Sequence, residues 1–227
     1  MCRMRWVAAL ARSCRQAWDR VGSRFARALL EAKGVKLGTG VRFVGTPVVS
    51  VAEGSRLSLG DRALLCSRNR CNSLGVNHPV VLRTIEPQAK LVIGRDVGLS
   101  GASICAAFSV EIGDGCLIGA NALIVDTDFH PVKGSARRYA PNPEPKPVDR
   151  VIIGTNVFVG AGAMILKGST IGDDATIGAG TVVSGEVPAG AIVVGNPARV
   201  IVHSVGSERI DHLGGQATPR RPATSAE

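Results

Sequence analysis

Residues 151 to 183 read VIIGTNVFVGAGAMILKGSTIGDDATIGAGTVV. Within this stretch Ile153, Val159, Ile165, Ile171, Ile177 and Val183 stand six apart, and Gly154, Gly160, Gly172 and Gly178 directly follow four of them. A small or β-branched residue sits four places after each of the first five: Val157, Ala163, Ser169, Ala175 and Thr181. Neither a helix, at about 3.6 residues per turn, nor a flat strand, with its alternation of two, generates a period of six. A hexapeptide period predicts a parallel β-helix, in which short strands wind into stacked coils.

The pattern extends backwards along the chain. Ile112, Ile118 and Ile124 keep the spacing, with Gly113 and Gly119 behind the first two. Ile93 and Leu99 open an earlier stretch that places Cys105 next, and one extra residue before Ile112 shifts the register there. Val35 and Val41, then Leu59 and Leu65, predict degenerate coils before that. Each repeated aliphatic side chain should point inward and stack on its equivalent one coil away. The 28 glycines and 4% aromatic content suit a narrow interior rather than a thick globular core.

A length of 227 residues suggests one domain with attachments. The repeat places the β-helix domain at 34–201. Residues 1–33 read as a basic amphipathic helix, with Val7, Leu10, Cys14, Trp18, Val21, Phe25 and Leu29 as its apolar stripe and Gly34 as its stop. Residues 1 to 42 hold ten Lys or Arg against Asp19 and Glu31, which accounts for nearly all of the net charge of +9. Such a helix packs on the β-helix or a neighbouring subunit, or makes peripheral contact with an anionic membrane. Residues 126–150 interrupt the repeat with Pro131, Pro141, Pro143, Pro145 and Pro147, and proline removes ladder donors, so this segment reads as a loop leaving the coils. Residues 202–227, rich in Gly, Pro, Thr and Arg, read as a disordered tail in which His203 and His212 carry no function.

Composition narrows the function. The six cysteines match no C-x-x-C zinc or redox spacing, and Cys66 and Cys71 would pair only in an oxidising compartment. The apolar run from Trp6 to Ala11 is short and is followed by Arg12 and Arg15, unlike a signal peptide, so the expected location is the cytoplasm, with reduced thiols and contact at the inner membrane face through 1–33. No nucleic-acid module or interleaved aromatic pattern is present, and no metal is expected.

Over residues 34 to 201 the pattern resembles the hexapeptide-repeat acyltransferases, the left-handed β-helix superfamily. Its ending, Val187-Pro188-Ala189-Gly190 and then Val194-Gly195-Asn196-Pro197-Ala198-Arg199-Val200-Ile201, is similar to the sugar and xenobiotic O-acetyltransferase branch, of the maltose and galactoside acetyltransferase kind. Val125-Asp126-Thr127-Asp128-Phe129-His130-Pro131 resembles that branch's catalytic-histidine segment. The resemblance implies left-handed coiling, against the usual right-handed crossover. It also implies a homotrimer with active sites between subunits, acetyl-CoA or another acyl-CoA as co-substrate, and direct transfer to a sugar hydroxyl in polysaccharide or glycan assembly. Alternative acceptors are serine, an amino sugar or an antibiotic.

His130 is the leading catalytic candidate, because a histidine titrating near neutrality suits removal of a hydroxyl proton. Asp126 and Asp128 are equal candidates to orient its ring, and a backbone carbonyl would also serve. The resemblance assigns Phe158, Gly160, Ala161, Ala179, Gly180, Ser184 and Arg199 to acyl-CoA. Phe158 stands where several members carry tryptophan, and Gly185 where many carry lysine, with Lys167 one coil away as the candidate replacement. The branch's acceptor-side asparagine aligns near Ser100-Gly101 and is missing, which makes Ser100, Asn77 and His78 the acceptor-side candidates. A zinc carbonic anhydrase of the same fold needs three histidines, and the repeat region offers only His78 and His130. A structural β-helix with a decayed site is the non-enzymatic alternative.

Overall fold

A computed structural model describes residues 22–202. Residues 4–21 of the expected N-terminal helix and the tail beyond 202, with His203 and His212, lie outside the described residues. Within them, short strands form three parallel sheets in which every third strand of the sequence is hydrogen-bonded to its equivalent one coil on. The first sheet has seven strands from Lys36–Leu37 to Glu186–Val187, and the third has six from Val48–Ser50 to Val182–Val183. The second runs in parallel from Arg42–Val44 to Ile192–Val194, and an eighth strand, Arg199–Val202, turns back antiparallel along its end. The result is a triangular prism.

The interior is a set of side-chain columns. Leu59, Ile93, Ile112, Ile153, Ile171 and Val187 stack in register on the first side. Phe43, Leu65, Leu99, Ile118, Val159, Ile177 and Val193 do so on the second. Val49, Leu82, Ile104, Ile124, Ile165 and Val183 form the third. All are buried, and their removal from water is the main driving force of the fold. A second inward layer lies two residues before each column, as in Val157, Ala163 and Ala175, where small residues fit the corners.

Two sequence-based registers are corrected. Ile104, not Cys105, pairs with Ile124, so the step from Leu99 is shortened to five residues and the step on to Ile112 is lengthened to eight; Cys105 lies opposite Val125. In the first coil, Leu37 and Phe43 occupy the column positions opposite Leu59 and Leu65. Val35 and Val41 belong to the smaller layer. In degenerate coils both layers are aliphatic, and a spacing of six fits either.

The described part of the N-terminal helix, 22–32, closes the first coil. Ala26 and Leu30, one turn apart, are fully buried against the core. Ser23 Oγ accepts from Phe43 N–H at 3.1 Å, and Arg27 donates to the Gly38 carbonyl at 3.0 Å. After the helix, Gly34 (φ +82°) lets Val35 N–H reach the Leu30 carbonyl at 3.1 Å. The predicted stripe is not the docking face: Phe25 is 67% exposed. Helical spacing defined the stripe, but the first coil selected the face about a third of a turn away. Among the described residues no helix is long and apolar enough to cross a membrane.

Candidate functional site

The chain leaves the coils after the strand Leu123–Val125, at the corner between the third and first sheets. Asp126 is the first residue out and is 1% exposed. Its carboxylate accepts the backbone N–H groups of Ala107 (2.6 Å), Phe108 (2.8 Å) and Ser109 (2.7 Å), which holds the same corner of the preceding coil. Burial pushes this carboxyl above the usual carboxylate range, against the pull of those amides. Asp128 instead pairs with Lys167 Nζ at 2.6 Å, and the same ammonium reaches Asp149 at 3.5 Å. Lys167 therefore ties the outgoing and returning ends of the loop together. Its pKa is raised, first by the hydrogen bond to Asp128. As a replacement for the missing phosphate contact it is already engaged.

Between those ties the backbone turns sharply. Thr127 Oγ1 accepts from Phe129 N–H at 3.1 Å, Phe129 adopts φ +62°, and His130 N–H donates to the Asp128 carbonyl at 2.7 Å. His130 is exposed at the tip of this turn. The two aspartates are thus distinguished by their surroundings, one holding a corner and the other the loop base, and neither carboxylate bonds the His130 ring.

The residues expected to meet acyl-CoA lie elsewhere. Gly160-Ala161 and Ala179-Gly180 are one coil apart at the corner between the second and third sheets, joined by Gly180 N–H to the Ala161 carbonyl at 2.9 Å. A Cβ at Gly160 would fall 2.5 Å from the Ala179 nitrogen, so the stack itself demands glycine. At Gly162 and Gly180, both at φ +67°, a Cβ would meet nothing within 4 Å. That corner is therefore open to the outside at both glycines. Phe158 is 47% exposed on the second sheet's outer face, where it supplies an apolar wall. Ser184 and Arg199 are exposed on the last coils.

A groove of about 390 Å³ crosses the outer face of the second sheet. Its floor is formed by Leu64, Gly98, Leu117 and Phe158, which are adjacent in register. Asn72, Ser73 and Leu74, from an insertion that leaves the coil after Cys66, form its wall. Ser100, Phe158 and Ala161 meet in this groove. Asn77 and His78 sit in the same insertion; Asn77 N–H donates to Asn121 Oδ1 at 2.7 Å, and His78 Nδ1 lies 2.8 Å from the Pro79 carbonyl. Asn121 was missed in the sequence, although an asparagine at φ +60° in a coil corner is a visible turn signal. Leu64 and Leu117 were missed too; each is a large apolar residue at the outward place just before an inward one.

The loop corner that carries His130 lies opposite the second sheet in a three-sided prism. Within one chain, the structure brings Ser100, Phe158 and Ala161 together and leaves His130 on the far edge. Among the described residues, no three His, Cys, Asp or Glu side chains are disposed to hold a metal ion.

Comparison with known proteins places this architecture. Residues 150–185 match the bacterial transferase hexapeptide (six repeats), and residues 109–125 match the hexapeptide repeat of succinyl-transferase. A serine acetyltransferase of Synechococcus elongatus is 32% identical over 162 residues, covering 67% of this chain and 62% of that protein. A 2,3,4,5-tetrahydropyridine-2,6-dicarboxylate N-acetyltransferase of Staphylococcus aureus is 48% identical over 58 residues, covering 26% of this chain and 24% of that protein. The chain thus spans less than two thirds of the length of these relatives. An N-acyltransferase from Bacillus cereus, solved with dTDP-4-amino-4,6-dideoxyglucose and coenzyme A, superposes with a TM-score of 0.51 at 16% identity over 77% of this chain and 87% of that one. That likeness concerns the fold, a left-handed β-helix.

Proposed function

We propose that this chain, whose residues 109–125 and 150–185 match hexapeptide-repeat families, is an acyl-CoA-dependent O-acyltransferase acting on a sugar hydroxyl in cytoplasmic glycan or polysaccharide assembly. The observation that carries the reading is the placement of His130. Among the described residues it is the one exposed histidine, and the turn that leads to it is tied down by the amide contacts of Asp126 and by the Lys167 pair with Asp128. A base held in this way keeps its backbone fixed while its ring meets a ligand.

When bound, an acyl-CoA supplies a thioester carbonyl and a thiol leaving group. His130 takes the proton from the acceptor hydroxyl as its oxygen forms a bond to that carbonyl carbon. His130 then returns the proton to sulfur as the carbon–sulfur bond breaks, so the histidine ends neutral and no acyl-enzyme forms. The open corner at Ala161 and Gly180, the Phe158 wall and the exposed Arg199 are the residues suited to hold the co-substrate; a guanidinium fits its phosphates well. Asn77, His78 and Ser100 face the acceptor side.

The site is completed by a second copy in a trimer. Exposed apolar residues on the outward faces of the second and third sheets include Leu64, Leu117, Phe158, Val48 and Met164, whereas the first sheet presents Arg56, Lys90 and Glu111. Packing the third-sheet face of one copy against the second-sheet face of the next buries both and carries His130 of the first to the rim of the second's groove. Serine is the second acceptor reading, supported by the Synechococcus relative.

The test is acetyl-CoA-dependent release of free CoA against sugars, amino sugars and serine. His130→Ala should lower the rate on the order of 10²-fold or more with the preferred acceptor. An unchanged rate in His130→Ala overturns the assignment of the base. Failure to bind acetyl-CoA at all overturns the enzymatic reading.

A further inference from the structure

The described helix docks through the wrong side for its own sequence. Ala26 and Leu30 enter the core, and Ser23 binds the first coil beside them. Phe25 is left 67% exposed, Ala28 and Ala32 are exposed, and Leu29 is half-buried. At about 100° per residue these four fall within an arc of about 100°, with half-buried Leu29 at its edge nearest the docked side and its centre turned well over 90° from the centre of that side. An exposed Phe on a helix that already has a buried face adds nothing to the fold. In the sequence, Val7, Leu10, Cys14, Trp18 and Val21 continue the spacing that leads to Phe25.

Charge identifies what covers this face. Residues 1 to 42 carry ten Lys or Arg against two acids, while the remaining chain is close to neutral. Of the described cations here, Arg27 is engaged with Glu31 and the Gly38 carbonyl. Arg24, Lys36 and Arg42 are exposed on the same end of the prism. A protein core or a neutral apolar partner would not call for such an excess. An exposed apolar helix face with Phe25 on it, beside an excess of cations, matches an anionic interface, where each nearby cation adds to attraction and the ring enters at headgroup depth.

We propose that the Phe25, Ala28, Leu29 and Ala32 face of this helix docks on an anionic phospholipid surface, so that the prism stands on a membrane by its first coil. The proposal does not depend on the transferase reading.

The test uses the full chain and vesicles of phosphatidylcholine with and without phosphatidylglycerol, read by co-sedimentation. Binding should require phosphatidylglycerol and weaken as salt is raised. Phe25→Asp and, separately, Ala28→Asp should each weaken it by about tenfold or more, through loss of buried apolar area and added repulsion. Both sites are exposed, so melting temperature and oligomeric mass should not move. Absence of vesicle binding overturns the proposal, as does equal binding to both vesicle types or binding indifferent to both substitutions. A change in oligomeric mass on either substitution would show that this face meets another copy, and overturns it likewise.

Discussion

Residues in this molecule divide labour that the sequence leaves undivided. Asp126 and Asp128 are two places apart and chemically identical, yet one is buried on three amides and the other pairs with Lys167. Spacing could not separate them, because what separates them is contact with residues 17 to 39 positions away. The Lys167 tie makes a prediction at this scale. Its two ion pairs are partly exposed, and exposed pairs contribute only about 0–1 kcal/mol, so Lys167→Met should barely move the melting temperature. The same change should speed tryptic cleavage after Arg137 and Arg138 several-fold by freeing the loop base. Equal cleavage in the variant would show that the tie does not order the loop. His130 itself was legible as the point where the repeat stops; the ties that hold it were not.

At the scale of the element, the corner between the first and second sheets carries a ladder of acids. Asp61 Oδ1 accepts Thr39 N–H at 2.7 Å, and Asp173 Oδ1 accepts Thr155 N–H at 2.6 Å. Arg62 pairs with Asp96 and Arg95 with Asp114. The neighbouring coil's amide lowers the carboxyls of Asp61 and Asp173 below 3.8; the Arg62 and Arg95 guanidiniums do so for Asp96 and Asp114. With folded values below unfolded ones, the unfolded chain takes up protons first as pH falls. This stabilisation is fully present above the unfolded value and is lost as pH drops through the folded values. Asn at 61 and 173 keeps the oxygen acceptor but cannot titrate. In the Asp61→Asn, Asp173→Asn double variant, the fall in urea midpoint between pH 5 and pH 3 should be shallower than in wild type; an equal fall would show that these carboxyls do not govern acid sensitivity. The hexad made these corners visible as glycines followed by polar residues, and the strands legible nearly coil by coil. It misplaced Ile104 and the first coil because local spacing cannot tell the two inward layers apart when both are aliphatic.

For the whole molecule, the prism separates His130 from the groove by its own thickness, so the proposed activity is a property of an assembly. A mixture makes this testable. His130→Ala and Ala161→Arg should each be inactive alone, and unfolding and refolding them together should restore part of the activity through interfaces that combine one intact edge with one intact groove. No restoration, with each variant keeping the oligomeric mass of the unaltered protein, would place the whole site in one chain. The helix face and the groove walls were illegible for a shared reason: each depends on which surface is left over once the coils have stacked. The reversed last strand, Arg199–Val202, bears on a hazard that stacking creates. A parallel coil offers its free edge to any similar coil, and an open stack is a template for fibres. Among the described residues, the last strand closes the end of the second sheet with its polarity inverted, and the helix over 22–32 covers the opposite end of the prism. End-to-end stacking of copies is thereby disfavoured, so even a crowded solution should hold discrete particles rather than filaments.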